Sequence, residues 1–358
     1  MLSPASSPIF LAAEDLPETD RRSLMERLAY FAPEGCEAAT WTSSITPRDY
    51  FSRRAILVAS SELAGASLGI RFGTYDVDFR RNHDDGWAWC RFSGHRMPKT
   101  AIERSAKDKL QAIIHRLRGM GLKKSYLFGT GTSLDAARTR DWSDGYRIVC
   151  NTIVRDKTLW DHIDPHLIVA GDAIYHFGFT EFARAFRADM ARRLAESKAH
   201  FVFPAIYSHI AEREFAGLED RLIPVPTGWH KRINVDLATR FGVPGLGNVL
   251  NMLLLPLGCT LSRNVYLWGF DGRAPDDKLF WSNSSKHSYP ELMGSLLEAH
   301  PAFYEHHVPK DNPTKYVKNV HGDSLERSLA NAERDGWRFV MLHKSWTPAL
   351  QKRYDPSA

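Results

Sequence analysis

Polar residues able to do chemistry gather at a few places in this 358-residue chain. Gly129-Thr130-Gly131-Thr132-Ser133-Leu134 follows a short apolar run, Ser125 to Phe128. Glycines let a backbone approach a ligand closely and adopt positive φ. The hydroxyls add donors, and a helix beginning there favours negative charge. Phosphate or ribose contact is one reading; a plain tight turn is the other. A Walker loop is excluded, because no Gly-Lys-Ser/Thr follows, and Leu134 breaks the full Gly-x-Gly-x-x-Gly pattern.

Asn151, Asp172 and Asp271 each close an apolar run, in YRIVCN, PHLIVAGD and RNVYLWGFDG. An Asn amide both donates and accepts, which suits a base or a sugar. An Asp in such a place holds a ribose, ligates a metal, or merely caps its own loop. In NSSKHSYPE, His287 stands between Lys286 and Ser288, with Tyr289 beyond. A polar loop gives that imidazole little reason to be core, and a neutral His takes a proton well near pH 7. Lys286 either serves a phosphate or is solvated. His343-Lys344, after the last apolar run, either faces a ligand or caps the sheet. No metal site is read: His300, His306 and His307 do not make a His-Glu-x-x-His pair, and DDKLF at 276–280 is not Asp-x-Asp.

These residues need a scaffold, and the patterning supplies one. Ala106, Leu110, Ile113 and Leu117 recur at helical spacing. Short apolar runs then alternate with helical stretches: Ser125 to Phe128, YRIVCN, PHLIVAGD, AHFVFPA, RLIPVP, RNVYLWGFDG and WRFVML. Phe182, Phe186, Met190 and Leu194 line one helix face, 246–257 reads as a buried helix, and 324–334 as an amphipathic one. The alternation predicts an α/β fold with a mostly parallel sheet covered on both faces. Such sheets bind ligands beyond the carboxyl ends of their strands. Gly129 to Ser133, Asn151, Asp172 and Asp271 all fall at such ends.

Residues 1–118 read as an N-terminal α+β extension of unclear role, and 119–358 as the catalytic domain. The extension carries a helix in SLMERLAYFA, a strand in RRAILVAS, and short strands at Asp76 to Phe79 and Trp87 to Phe92 around the turn RNHDDG. WAWCRFSGHRM reads as a packed hairpin, or as a surface touching a partner or membrane.

Composition is that of a folded globular protein, 43% hydrophobic and 25% charged. The net charge of +5 suits phosphate-bearing partners, but no basic stripe points to nucleic acid. Cys36, Cys90, Cys150 and Cys259 have neither metal-finger nor disulfide-scaffold spacing, so a reducing compartment is expected. The N-terminus does not read as a signal peptide, and the apolar run from Val249 to Leu257 is too short to span a bilayer.

YLFGTGTSL, RIVCNTIVRD and LGNVLNMLLLPLGCTLSRNVYLWGFDG together resemble the bacterial sialyltransferases of the Campylobacter lipooligosaccharide type, and related flagellin-glycosylation and unknown-function proteins. The resemblance covers roughly residues 120 to 345. It implies a Rossmann-like fold and metal-independent transfer of an acidic sugar, sialic acid-like or Kdo-like, from its CMP conjugate to a bacterial glycan or lipid-linked acceptor. It implies that Gly129 to Leu134 hold the nucleotide and that Asn151 touches the donor. Gly247-Asn248 stand for the family's Ser-Gly pair, and Gly269-Phe270-Asp271-Gly272 for its Gly-Ile-Asp-Phe. His287 becomes the candidate base. The family's Arg before the Ser-Gly pair has no clear match. Trp281 and Tyr289 lie near its phosphate-stabilising tyrosines without matching them.

On this reading no cofactor is tightly bound, the donor is a CMP-sugar, and the chain works in the cytoplasm, with contact at the inner membrane face as an option. Oligomeric state stays open. Two other classes remain: another nucleotide enzyme, such as a methyltransferase or pyrophosphokinase, and a non-catalytic glycan-assembly protein on the same fold.

Overall fold

The spacing Ala106, Leu110, Ile113, Leu117 places one stripe on the helix Lys99–Arg118, and all of these residues are buried. That stripe packs on one face of the main sheet, in a core with Leu127, Tyr146, Ile148 and Ile223. The cover of this sheet therefore begins before residue 119. The computed structural model describes residues 9–12, 16–33, 39–42, 56–59, 74–96, 99–228, 233–245, 248–272, 274, 286–303, 305 and 323–358.

Four strands come first: β1 (Ile9–Ala12), β2 (Ala39–Thr42), β3 (Ile56–Val58) and β4 (Thr74–Asp76). They form a small parallel sheet in the order β2-β1-β3-β4. The main sheet follows, from β5 (Lys124–Phe128), β6 (Gly145–Cys150), β7 (Leu167–Val169), β8 (His200–Pro204) and β9 (Leu222–Val225). A short pair, β10 (Thr227–Gly228) and β11 (Val243–Pro244), precedes β12 (Asn264–Trp268) and β13 (Arg338–Met341). The seven strands run parallel in the order β13-β12-β5-β6-β7-β8-β9.

The chain lays β5 to β9 outward in one direction, then returns to add β12 and β13 on the other side of β5. The strand order reverses between β5 and β12, and that reversal is where a Rossmann-like sheet opens a crevice. Helices cover both faces. Phe182, Phe186, Met190 and Leu194 of the helix Glu181–Glu196 are buried on one side. On the other, Leu250 to Leu254 form a π-turn that runs into the helix Leu255–Leu261. Pro256 lacks an N–H and would clash in a regular α-turn, so the wider turn accommodates it.

The segment from Trp87 to Phe92 is not a strand, and WAWCRFSGHRM is not a hairpin. Asp85–Arg96 is a helix. Trp89, Phe92 and Ser93 recur at three- and four-residue spacing and face inward, with Trp89 stacked on Phe31 at 5.8 Å. The Ser93 hydroxyl donates to the Phe31 and Trp89 carbonyls. Near Asp76 the strand stops at that residue, and Asn82 Nδ2 donates to the Asp76 carbonyl at 2.6 Å to close the turn that follows. Among the described residues no helix is long and apolar enough to cross a membrane.

Candidate active site

At the reversal, the loops after β5 and β12 lie directly on each other. Gly129 N–H donates to the Trp268 carbonyl at 2.8 Å, and Gly131 N–H to that of Gly269 at 2.8 Å. The Asp271 carboxylate accepts the Ser133 N–H at 3.0 Å. A Cβ on Gly131 would sit 1.9 Å from Asp271 Oδ2, and one on Gly129 2.4 Å from the Gly269 carbonyl. Gly269 itself has φ +77°, which favours glycine. Loop-on-loop packing thus accounts for the glycines at 129, 131 and 269 without a ligand. Thr130 and Thr132 lie in the same turn, and Thr132–Thr139 is a 3-10 helix. The Ser133 hydroxyl is buried and makes no hydrogen bond.

Two residues beyond Ser133, Asp135 meets His287. Their Oδ1 and Nε2 are 2.8 Å apart. His287 is 0% exposed, whereas the Asp135 side chain keeps 40% of its surface in water. His287 is therefore not the accessible loop histidine its neighbours suggested. Residues after β6 hold its segment: Thr152 donates to the His287 carbonyl and Arg155 to that of Ser288. Asp156 Oδ2 lies 3.6 Å from His287 Nδ1 and is paired with Arg138. Asp156 also caps the helix Lys157–Ile163 by accepting the Leu159 N–H at 3.0 Å. Burial lowers the His287 pKa, and the Asp135 carboxylate partly offsets it. The Nε2 contact with a carboxylate places the imidazole proton on Nε2 and leaves Nδ1 without a hydrogen bond.

Lys286, the residue before His287, is exposed. Tyr289 is turned elsewhere: its hydroxyl donates to Asp189 at 2.6 Å and its ring packs edge-on against Phe182. Burial raises its pKa. Asn151 follows β6 and opens the 3-10 turn Asn151–Arg155 with φ 53°, and its Oδ1 is buried with no partner. A left-handed backbone, which Asn tolerates, and a buried amide oxygen without a partner thus coincide just after β6. Asp172 caps its own loop, accepting N–H groups from Ile174 and Tyr175 at 2.9 and 3.2 Å. Burial pushes its carboxyl up to about 6. Asn248 accepts the Asn251 N–H at 2.9 Å and so starts the buried helix. Gly247 and Trp281 lie outside the described residues, as do residues 276–280, His306 and His307. His300 is a core residue, paired with Asp85 at 2.8 Å.

No family model, curated protein or solved structure matches this chain. The architecture is a Rossmann-like α/β fold, compatible with a nucleotide- or cofactor-binding enzyme.

The structure brings together residues from the ends of β5, β6 and β12. Of the residues singled out in the sequence, Ser133 and Asp271 are joined directly, and His287 reaches the same turn through Asp135. Asp172 and Tyr289 make their own separate contacts. Asp135, Asp156, Thr152 and Arg155 emerge only from the fold. Asp156 had a sequence signal, an Asp directly before a helical stretch; Asp135 had none. One ligand atom each from Asp135, Asp156 and His287 fall within 4.8 Å of one another, a spacing that suits a cation. The Arg138 guanidinium already balances Asp156, so an added cation would have to compete with it. Acid-base work needs no such exchange. The His287 Nε2–H can orient the Asp135 carboxylate, which keeps 40% of its surface in water.

Proposed function

We propose that the chain is a nucleotide-sugar-dependent glycosyltransferase, transferring an acidic sugar of the sialic acid or Kdo kind from its CMP conjugate to a bacterial glycan or lipid-linked acceptor. The observation that carries the reading is the Asp135–His287 pair: an accessible carboxylate backed by a buried imidazole beyond the carboxyl ends of adjacent strands. The motif resemblance supplies the donor class.

In such a transfer the acceptor hydroxyl attacks the anomeric carbon as the bond to the CMP phosphate breaks. Asp135 accepts the hydroxyl proton, and His287 Nε2–H fixes the carboxylate in the orientation for it. His287 is thus a positioning residue here, and Asp135 the base. Charge grows on the departing phosphate, and the ammonium of Lys286, exposed and one residue before His287, is assigned to offset it. The strained Asn151 offers its amide to the donor at the end of β6. The site is proposed to work in the cytoplasm.

Calorimetric titration with CMP, UMP, AMP and adenosylmethionine tests the donor class. Selective CMP binding is expected. Preference for adenosylmethionine would replace the reading with a methyltransferase. Asp135→Asn should lower kcat about 10²–10⁴-fold, the usual contribution of a general base, with CMP binding retained; unchanged turnover would remove Asp135 from that role.

A further inference from the structure

The glycine turn after β5 is a poor receiver for an anion. Its Ser133 N–H already holds the Asp271 carboxylate at 3.0 Å, and Gly129 and Gly131 are closed against the loop after β12. A lysine and a histidine, Lys344 and His343, sit at the same sheet edge one strand further on, after β13.

There the chain folds back onto the β12 loop. Ser345 Oγ donates to the Phe270 carbonyl at 2.7 Å, and Trp346 N–H to the Asp271 carbonyl at 2.6 Å. Thr347 N–H donates to Ser345 Oγ at 3.1 Å. Thr347 also packs on Gly272, where a Cβ would come within 2.7 Å of its hydroxyl. The backbone is therefore fixed, and what it presents outward is His343, Lys344 and Trp346. Trp346 is 58% exposed, the most exposed large hydrophobic side chain among the described residues. An indole held in water on a fixed loop is a preformed stacking surface that costs little entropy to use.

His343 completes the arrangement. Its Nδ1 lies 3.3 Å from the Lys344 carbonyl and 3.5 Å from Asp271 Oδ1. Both are acceptors, so Nδ1 carries a proton, and Nε2 meets a phosphate oxygen as the second N–H donor of the imidazolium, a form that a bound anion favours. The Trp268 indole packs edge-on against the ring at 5.7 Å and holds its orientation. Asp271 thus ties this loop to the turn that carries Asp135.

We propose that the loop 343–346 receives the phosphate-bearing, flat-ringed part of the ligand: Lys344 and His343 take phosphate oxygens, and Trp346 stacks on the ring. This deepens the nucleotide-dependent reading above and rests on it for the ring, though not for the anion.

Two titrations test it on the full chain. The first uses inorganic pyrophosphate, followed by NMR of the imidazole resonances, with His343 assigned through His343→Gln. The His343 signal should move, and in Lys344→Gln it should need about tenfold more pyrophosphate, the worth of one charge-assisted hydrogen bond. A His343 signal that stays still while others move overturns the proposal.

The second compares nucleoside monophosphates with their nucleosides by calorimetry. Lys344→Gln and His343→Gln should each weaken nucleotides about tenfold and leave nucleosides unchanged. Trp346→Ala should weaken both, and Trp346→Phe should restore most of the loss. These side chains are exposed, so the variants should fold, which circular dichroism checks. Nucleotide binding at wild-type strength in all variants overturns the proposal and leaves the nucleotide reading standing. Pyrophosphate binding at His343 without any nucleotide binding supports the anion surface and overturns the nucleotide reading.

Discussion

Asp271, at the end of β12, accepts the backbone N–H of Ser133 from the turn after β5, at 3.0 Å. This contact spans the point where the strand order reverses. In many sheets of this kind a ligand phosphate occupies the start of the helix after the first strand. Here a carboxylate of the chain itself occupies it. The glycines at 129 and 131 therefore do for a side chain what such glycines elsewhere do for a phosphate.

Gly131→Ala should accordingly destabilise the protein by about 1–3 kcal/mol, the usual cost of overpacking, because its Cβ would meet Asp271 Oδ2 at 1.9 Å. Removing the carboxylate relieves that clash. In an Asp271→Ala background the added cost of Gly131→Ala should shrink clearly, a coupling that a double-mutant cycle in urea unfolding reads directly. Additive costs would mean that the clash is relaxed some other way.

A second prediction concerns the join between the N-terminal region and the main body. Arg27 NH1 and His300 Nδ1 both contact the Asp85 carboxylate, at 2.9 and 2.8 Å, and all these groups are buried. Arg27 also donates to the Ala299 carbonyl at 2.6 Å. Asp85→Ala would strand two basic groups in the core and should cost about 3–5 kcal/mol. Asp85→Asn keeps an acceptor and should cost less. Denaturant unfolding measures both, and equal losses would argue against the charge as the cause.

The sheet was legible because its strands are short apolar runs bounded by polar turns, a local signal. The helix Asp85–Arg96 was not, because Trp87-Ala88-Trp89 also fits a strand's alternation, and only the packing of Trp89 on Phe31 and of Phe92 on Tyr75 decides its period. The site was half legible. Asn151 and Asp271 declared themselves by ending strands. Asp135 did not, since its meaning comes from His287, 152 residues away. The burial of His287 was hidden for the same reason: Thr152 and Arg155 cover it from another loop.

Acid should weaken the fold through its buried histidines. Burial lowers His176 to about 3 and His200 to about 4, and His166 and His209 shift the same way. Unfolding restores the ordinary value near 6.5, so between that pH and about 4 the unfolded chain binds more protons. Stability is therefore lost as pH falls through that window. Asp172, raised to about 6, acts in the opposite sense between 3.8 and about 6, and Asp76 and Glu212 are raised as well, three carboxyls against five histidines once His287 is included. Unfolding free energy measured from pH 7 to 5 should fall. His176→Gln should flatten the slope over that range by about 1 kcal/mol per pH unit, approaching one proton's worth, about 1.4, at its lower end. An unchanged slope would show that His176 is protonated in the folded state.

Asn151 allows strain and chemistry to be separated. Its φ of 53° is a conformation that glycine adopts freely, Asn tolerates and Ala resists. Asn151→Ala should lose about 1–2 kcal/mol from the backbone alone, whereas Asn151→Gly should unfold at a denaturant concentration close to wild type. If the buried amide serves the ligand, Asn151→Gly should nonetheless bind nucleotide more weakly, by about tenfold for one lost hydrogen bond. Calorimetry on that one variant, with its unfolding midpoint, reads the two effects apart. A stable glycine variant that binds as tightly as wild type would make Asn151 a turn former and nothing more.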